Sequence, residues 1–129
     1  MGVTAAFAVL HVTQLDPAMA FYTGPLWLIM DWREGDRTAA VGANGHTLFL
    51  KAADPSFGPG EAILNVDDAD AVHAACVAAG ASVEGPPETR PWGMREFRVH
   101  DPSGNLLNIG HVDESAADYS TFEGPALDA

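Results

Sequence analysis

Short apolar runs punctuated by Gly, Pro, Asn and Asp make up most of this chain. Residues 7–13 are dense in apolar and β-branched side chains and predict a strand. Asp16-Pro17 follows, an N-cap and first-position pair that predicts a helix through Ala18, Phe21 and Tyr22, stopped at Gly24-Pro25. Strands are predicted over 27–33, 39–43 and 47–51, with Asn44-Gly45 forming a tight hairpin between the last two. After a Gly- and Pro-rich loop at 54–60 the order repeats. Residues 62–66 predict a strand. Asp67-Asp68 caps a helix whose Val72, Ala75, Cys76 and Ala79 share one face, and Gly80 ends it. Residues 82–84 predict a short strand, and 94–100 and 105–109 a hairpin around Asp101-Pro102-Ser103-Gly104.

Each half therefore reads strand, helix, three strands. The predicted fold is α+β, with two βαβββ modules at about 5–53 and 59–111 inside one domain spanning 1–112. The modules are expected to form a curved, cavity-lined sheet with the helices on its outer face. Residues 113–129 form an acidic tail whose aromatic anchors are Tyr119 and Phe122, expected to be mobile or to pack on a partner chain.

Composition narrows the partners. Hydrophobic residues are 47% of the chain, enough to build a core of the usual size. Lys and Arg number 6 against 18 Asp and Glu, a formal charge of −12, which excludes nucleic acid and anionic membrane and favours a cationic small molecule. No apolar run is long enough to span a bilayer, and the first residues lack the basic start of a secretory signal. A single cysteine, Cys76, rules out an internal disulfide; a cytoplasmic location is expected. Cys76 falls on the apolar helix face and reads as a buried, inert thiol. The chain has no nucleophile elbow, phosphate loop or Cys-x-x-Cys.

Pro91-Trp92-Gly93, Arg95-Glu96-Phe97 and Asp101-Pro102-x-Gly104-Asn105 together resemble the last-module signature of the vicinal oxygen chelate superfamily, which holds glyoxalase, bleomycin-resistance and extradiol dioxygenase proteins. Phe21-Tyr22 and Val66-Asp67-Asp68 agree with its helix and strand-to-helix motifs. The resemblance covers residues 7–111 and is strongest to the bleomycin-resistance type, acidic non-catalytic dimers that sequester a cationic drug. Met94 stands as an extra residue after Trp92-Gly93. Gly24-Pro25-Leu26-Trp27 replaces a stretch that ends in Leu-Gly-Phe, so the cavity mouth is expected to differ.

Enzymes of that superfamily hold a divalent metal on inward strand positions. By the resemblance those positions fall here on Phe7, Glu61 and Asn108. Phenylalanine has no donor, and a catalytic metal needs about three protein ligands. No metal and no cofactor are therefore expected. Strand alternation places Phe7, Val9, His11 and Thr13 on one face. His46, His73, His100 and His111 are expected at a turn, on a helix surface, beside the Asp101 turn and away from the cavity. The expected ligand-binding residues are Phe7, Val9, His11, Phe49, Glu61, Ile63, Trp92, Glu96 and Asn108, with Asn65 also inward and Trp92 over the opening. Arg95 and Glu96 are expected to brace the hairpin as an ion pair. Trp32 is expected near a pocket at a sheet edge.

The reading that follows is a metal-free binding protein that sequesters a cationic or flat aromatic compound such as an antibiotic, acting as a homodimer. The alternative is a metal-dependent lyase, isomerase or dioxygenase with the shifted ligand set His11, Glu61 and Glu96. A third possibility is an accessory subunit with no ligand of its own.

Overall fold

The computed structural model describes residues 2–52 and 56–115. The acidic tail from 116 onward, with Tyr119 and Phe122, lies outside the described residues.

The first module contains β1 (Ala8–Val12), α1 (Leu15–Thr23), β2 (Ile29–Glu34), β3 (Thr38–Ala43) and β4 (His46–Ala52). The second contains β5 (Glu61–Asn65), α2 (Ala69–Ala78), β6 (Ser82–Thr89), β7 (Met94–His100) and β8 (Leu106–Val112). Each builds a four-stranded sheet, ordered β1-β4-β3-β2 and β5-β8-β7-β6. The opening strand of each module lies parallel to its last strand; the other pairs are antiparallel. A helix crossover after the first strand is what allows that parallel pairing. The predicted pair of βαβββ modules is the observed architecture.

The period of two decides which face the helices cover. Leu10, Val12, Ala39, Val41 and Leu50 point toward α1 and are buried. Phe97, Val99, Leu107 and Ile109 pack the same way with Val72 and Cys76 of α2. Among the described residues, no helix lies on the opposite face of either sheet. Asp68 caps α2, its carboxylate accepting from the Ala71 amide at 3.1 Å. Asn44 and Gly45 both take positive φ, 53° and 81°, the backbone that a two-residue hairpin turn demands.

Three elements differ from the sequence expectation. Helix α1 begins at Leu15, with Gln14 at its N-cap and no side-chain cap. Asp16 lies inside the first turn instead and pairs with Arg33 at 2.6 Å. Burial of Leu15 with Ala18 and Met19 favours the earlier start. Strand β2 begins at Ile29, because Trp27 sits in the left-handed region at φ 56° and the Leu28 amide donates to the Tyr22 carbonyl at 3.0 Å. Strand β6 runs on through Gly85-Pro86-Pro87 to Thr89. It is an edge strand, where proline removes no needed ladder bond, and a register shift between Glu84 and Glu88 absorbs the prolines. The predicted Arg95–Glu96 pair does not form either. Adjacent strand residues face opposite sides, so Arg95 reaches Asp70 on α2 with bonds of 2.7 and 2.8 Å. Its guanidinium holds the Asp70 carboxyl below the usual range. Among the histidines, His73 lies on the surface of α2, half-buried and edge-on against Phe97. His111 accepts from the Ala69 amide at 2.9 Å on the helix side, away from the open face as expected.

The two modules are tied together by a polar knot. Asp101 and Asn105 are 3% and 0% exposed, so every polar atom they carry needs a protein partner. Asp101 Oδ1 accepts from the Ser103 and Asn105 amides, both at 2.9 Å. Its Oδ2 accepts from the Tyr22 hydroxyl at 2.7 Å and from Asn105 Nδ2 at 2.8 Å. The Asn105 amide also donates to the His11 carbonyl at 2.8 Å and accepts from the Gly60 amide at 2.7 Å. One turn thus grips β1, α1 and the entry to β5. Burial, then the Asp101 charge and hydrogen bond, push the Tyr22 phenol far above its ordinary range, so it stays a donor. Among the described residues no helix is long and apolar enough to cross a membrane.

Two outcomes follow from the knot and the core. Asn105→Ala strands the Gly60 amide and the His11 carbonyl, and should cost about 3 kcal/mol in urea unfolding, against about 1 kcal/mol for Tyr22→Phe, which leaves Asp101 its other three donors. Burial also pushes the Cys76 thiol up to about 11, above the ordinary value of about 8.5. The native thiol should react slowly with dithiodipyridine at mildly alkaline pH and quickly in urea. Because the folded state disfavours the thiolate, this contribution to stability is full below the unfolded value and falls as pH climbs toward 11.

Candidate functional site

The open face of the first sheet is aromatic. Val9, Phe49, Ala40 and Trp32 stand in one cross-strand row. Phe7 stacks on Phe49 with centroids 4.9 Å apart and planes at 19°. Trp32 tilts against the same ring at 5.7 Å and 54°. Phe49 is half-buried between them, while Phe7 and Trp32 remain 54% and 44% exposed. A bulge in β2 between Met30 and Trp32 inserts Asp31 beside this patch. Its carboxylate lies 3.2 Å from where a Cβ on Gly42 would be, so a side chain there would crowd it.

His11 lies in the next row, opposite Lys51. Its ring stacks face to face with Phe57 at 4.1 Å and 3°, and its buried Nδ1 has no hydrogen-bond partner. Phe57, in the loop between the modules, was invisible to strand reasoning because it belongs to no periodic element. The Asp54–Gly60 loop's lone aromatic was the one available signal.

The open face of the second sheet is polar. One row holds Ile63, Asn108, Arg98 and Glu84; the next holds Asn65, Gly110, Glu96 and Glu88. Glu96 is only 14% exposed and sits 3.5 Å from Arg90 Nε. Arg90 also pairs with Glu88 at 2.7 Å. Asn108 Nδ2 donates to Glu96 at 3.3 Å, and Asn108 Oδ1 is buried without a partner. A Cβ on Gly110 would come within 3.0 Å of the Arg95 carbonyl and the Glu96 Cβ, so glycine is needed for β8 to lie close under β7. Ile63 is 73% exposed and Glu61 is exposed at the strand's start.

The expected residues fall into separate groups. Phe7, Val9 and Phe49 come together, with His11 in the adjoining row. Asn108 and Glu96 come together, with Ile63 in register. Trp92 is half-buried in the turn before β7. Trp32, Asp31, Phe57 and Arg98 join these faces without having been singled out as ligand contacts. A separate cavity of about 590 Å³ lies on the helix side, between α1 residues Pro17 and Phe21 and the α2–β6 junction at Gly80 to Ser82. It contains none of the expected residues.

The residues present do not fit a superfamily metal. Phe7 offers a stacked ring where a donor is required, Glu61 is exposed at the start of its strand, and Asn108 brings only a neutral amide oxygen. Among the described residues no three His, Cys, Asp or Glu side chains are grouped to hold an ion, so His11, Glu61 and Glu96 do not form the shifted set.

Paired βαβββ modules, helices on one side and open sheets on the other, define the vicinal oxygen chelate class of fold. The chain belongs to the Glyoxalase/Bleomycin resistance protein/Dioxygenase superfamily, whose model matches residues 4–109. Among solved structures it is similar to TnmS3, an antibiotic binding protein from Streptomyces sp. CB03234, at 26% identity and TM-score 0.73, covering 88% of this chain and 99% of that one. TioX from Micromonospora sp. ML1 is 21% identical with TM-score 0.75, covering 85% and 99%. A lactoylglutathione lyase from Agrobacterium tumefaciens is 22% identical with TM-score 0.71, covering 86% and 96%. No curated protein matches the chain by sequence.

Proposed function

We propose that this chain is a metal-free small-molecule-binding protein that sequesters a flat aromatic compound, such as an antibiotic. The observation that carries the reading is the Phe7–Phe49–Trp32 patch, with an aromatic ring at the first metal-ligand position. Offset stacking on such rings holds a planar heteroaromatic, and an adjacent carboxylate such as Asp31 leaves room for a cationic one. The likeness to TnmS3 supports the same direction. The protein works as a homodimer in the cytoplasm. Support for the dimer comes from the large apolar side chains left exposed on and beside the open faces, among them Ile29 at 68%, Ile63 at 73% and Trp27 at 60%.

Titration with acridine, followed by Trp quenching and calorimetry, tests the reading. Saturable binding tighter than about 100 μM is expected, a free energy of about 5.5 kcal/mol. Phe49→Ala should weaken it by about tenfold with the fold intact. Absence of saturable binding, or an unchanged affinity in Phe49→Ala, would contradict it. Sedimentation equilibrium should give twice the 13.5 kDa chain mass; a monomer at micromolar concentration would remove the dimer.

A further inference from the structure

The ring patch of the first open face is flanked by opposite charges, one on each side. Phe49 sits at its centre on β4, and the open-face residues on either side of it along the strand are Thr47 and Lys51, each about 7 Å away. On the Thr47 side stands Asp31, whose carboxylate lies over Gly42, the cross-strand partner of Thr47. On the other side stands Lys51, opposite His11 on β1 and Thr38 on β3. Both charged side chains are exposed, and among the described residues neither makes an ion pair or a side-chain hydrogen bond. That state alone does not distinguish Lys51, since Arg37 and Arg98 share it; its position does. Arg37 lies in the turn between β2 and β3, and Arg98 lies on the second sheet. Arg33 of β2 reaches Asp16 on α1, on the helix side. Among the described residues, Lys51 is thus the basic side chain of the ring-bearing face, and the ring row separates it from Asp31. Glu34, the acid in its own row, stands two strand spacings away, about 10 Å, with Thr38 between.

We propose that Lys51 and Asp31 set the polarity of the bound compound, so that the flat aromatic stacked on Phe49 is zwitterionic: it carries a carboxylate or comparable acidic oxygen on the edge toward Lys51 and a basic nitrogen on the opposite edge, toward Asp31. This rests on the ring-patch reading above and narrows it. Each charge meets its complement in one orientation only, and a flipped ligand would put like charges together. Net charge decides between a zwitterion and a simple acid. The −12 field repels an anion during its approach, whereas a net-neutral molecule is not turned away.

Four naphthalenes test it at neutral pH and low salt, where exposed charge contacts are least screened. They are zwitterionic 6-(aminomethyl)-2-naphthoate, anionic 2-naphthoate, cationic 2-(aminomethyl)naphthalene and uncharged 2-naphthamide, with acridine as the probe of the rings alone. Wild-type protein should bind the zwitterion about fivefold more tightly than either singly charged probe, and either of those more tightly than the amide. Lys51→Gln should bring the zwitterion down to the level of the cation, and Asp31→Asn to the level of the anion. Neither should move acridine affinity, which also reports that the variant is folded. Arg37→Gln and Arg98→Gln remove the same unit of charge elsewhere and should leave the zwitterion's advantage unchanged. A zwitterion bound no more tightly than the singly charged probes overturns the proposal, as does an advantage that survives Lys51→Gln or is lost equally in Arg37→Gln. In those cases acridine binding leaves the ring-patch reading standing. Failure of acridine and all four naphthalenes to bind removes the ring-patch reading, and this proposal with it.

Discussion

The Asp101 carboxylate takes four hydrogen bonds where water does not reach, and both modules hang on it. A buried charge is costly unless its lone pairs are filled. Here they are filled by the turn's own amides, by Asn105 and by Tyr22 from the other module. Asn105 carries the tie onward to the main chain of β1 and to the entry of β5. The knot is therefore a registration device. It fixes where β1 ends relative to the start of β8.

Given that registration, alternation along the strands does the rest. Every second residue is committed to a helix and to the core; its neighbours are left for chemistry. The two modules repeat this scheme but have filled their open faces differently. The first offers stacked rings, the second amides, carboxylates and an arginine. The superfamily position that would need a metal donor just before β1 is taken by one of those rings, Phe7. The polar groups of the second face are largely bound to one another, Glu96 to Arg90 and Asn108, Glu84 to His100.

Much of this was legible in the sequence, and the parts that were not share a cause. Asn44-Gly45, Asp67-Asp68 and Asp101-Pro102-Ser103-Gly104 carry local turn and cap chemistry, so the hairpins and α2 could be placed. Alternation gave the side on which Phe7, Val9, His11 and Asn108 stand. What could not be read depends on partners far along the chain. Arg95 finds Asp70 and Arg90 finds Glu96, neither a sequence neighbour. Phe57 reaches His11 from a loop with no period. The bulge that delivers Asp31 and Trp32 arises from pairing with β3, and the length of β6 from its edge position. Local signals name the elements; tertiary pairing decides which charges remain free.

On the proposed reading a ring patch, and no metal ion, does the binding. Acridine affinity measured on protein purified without chelator, with its metal content determined alongside, before and after EDTA treatment, tests it most directly. Less than stoichiometric metal and an affinity that EDTA leaves unchanged are expected. A tightly held divalent ion, with binding lost on its removal and restored by adding it back, would contradict the account.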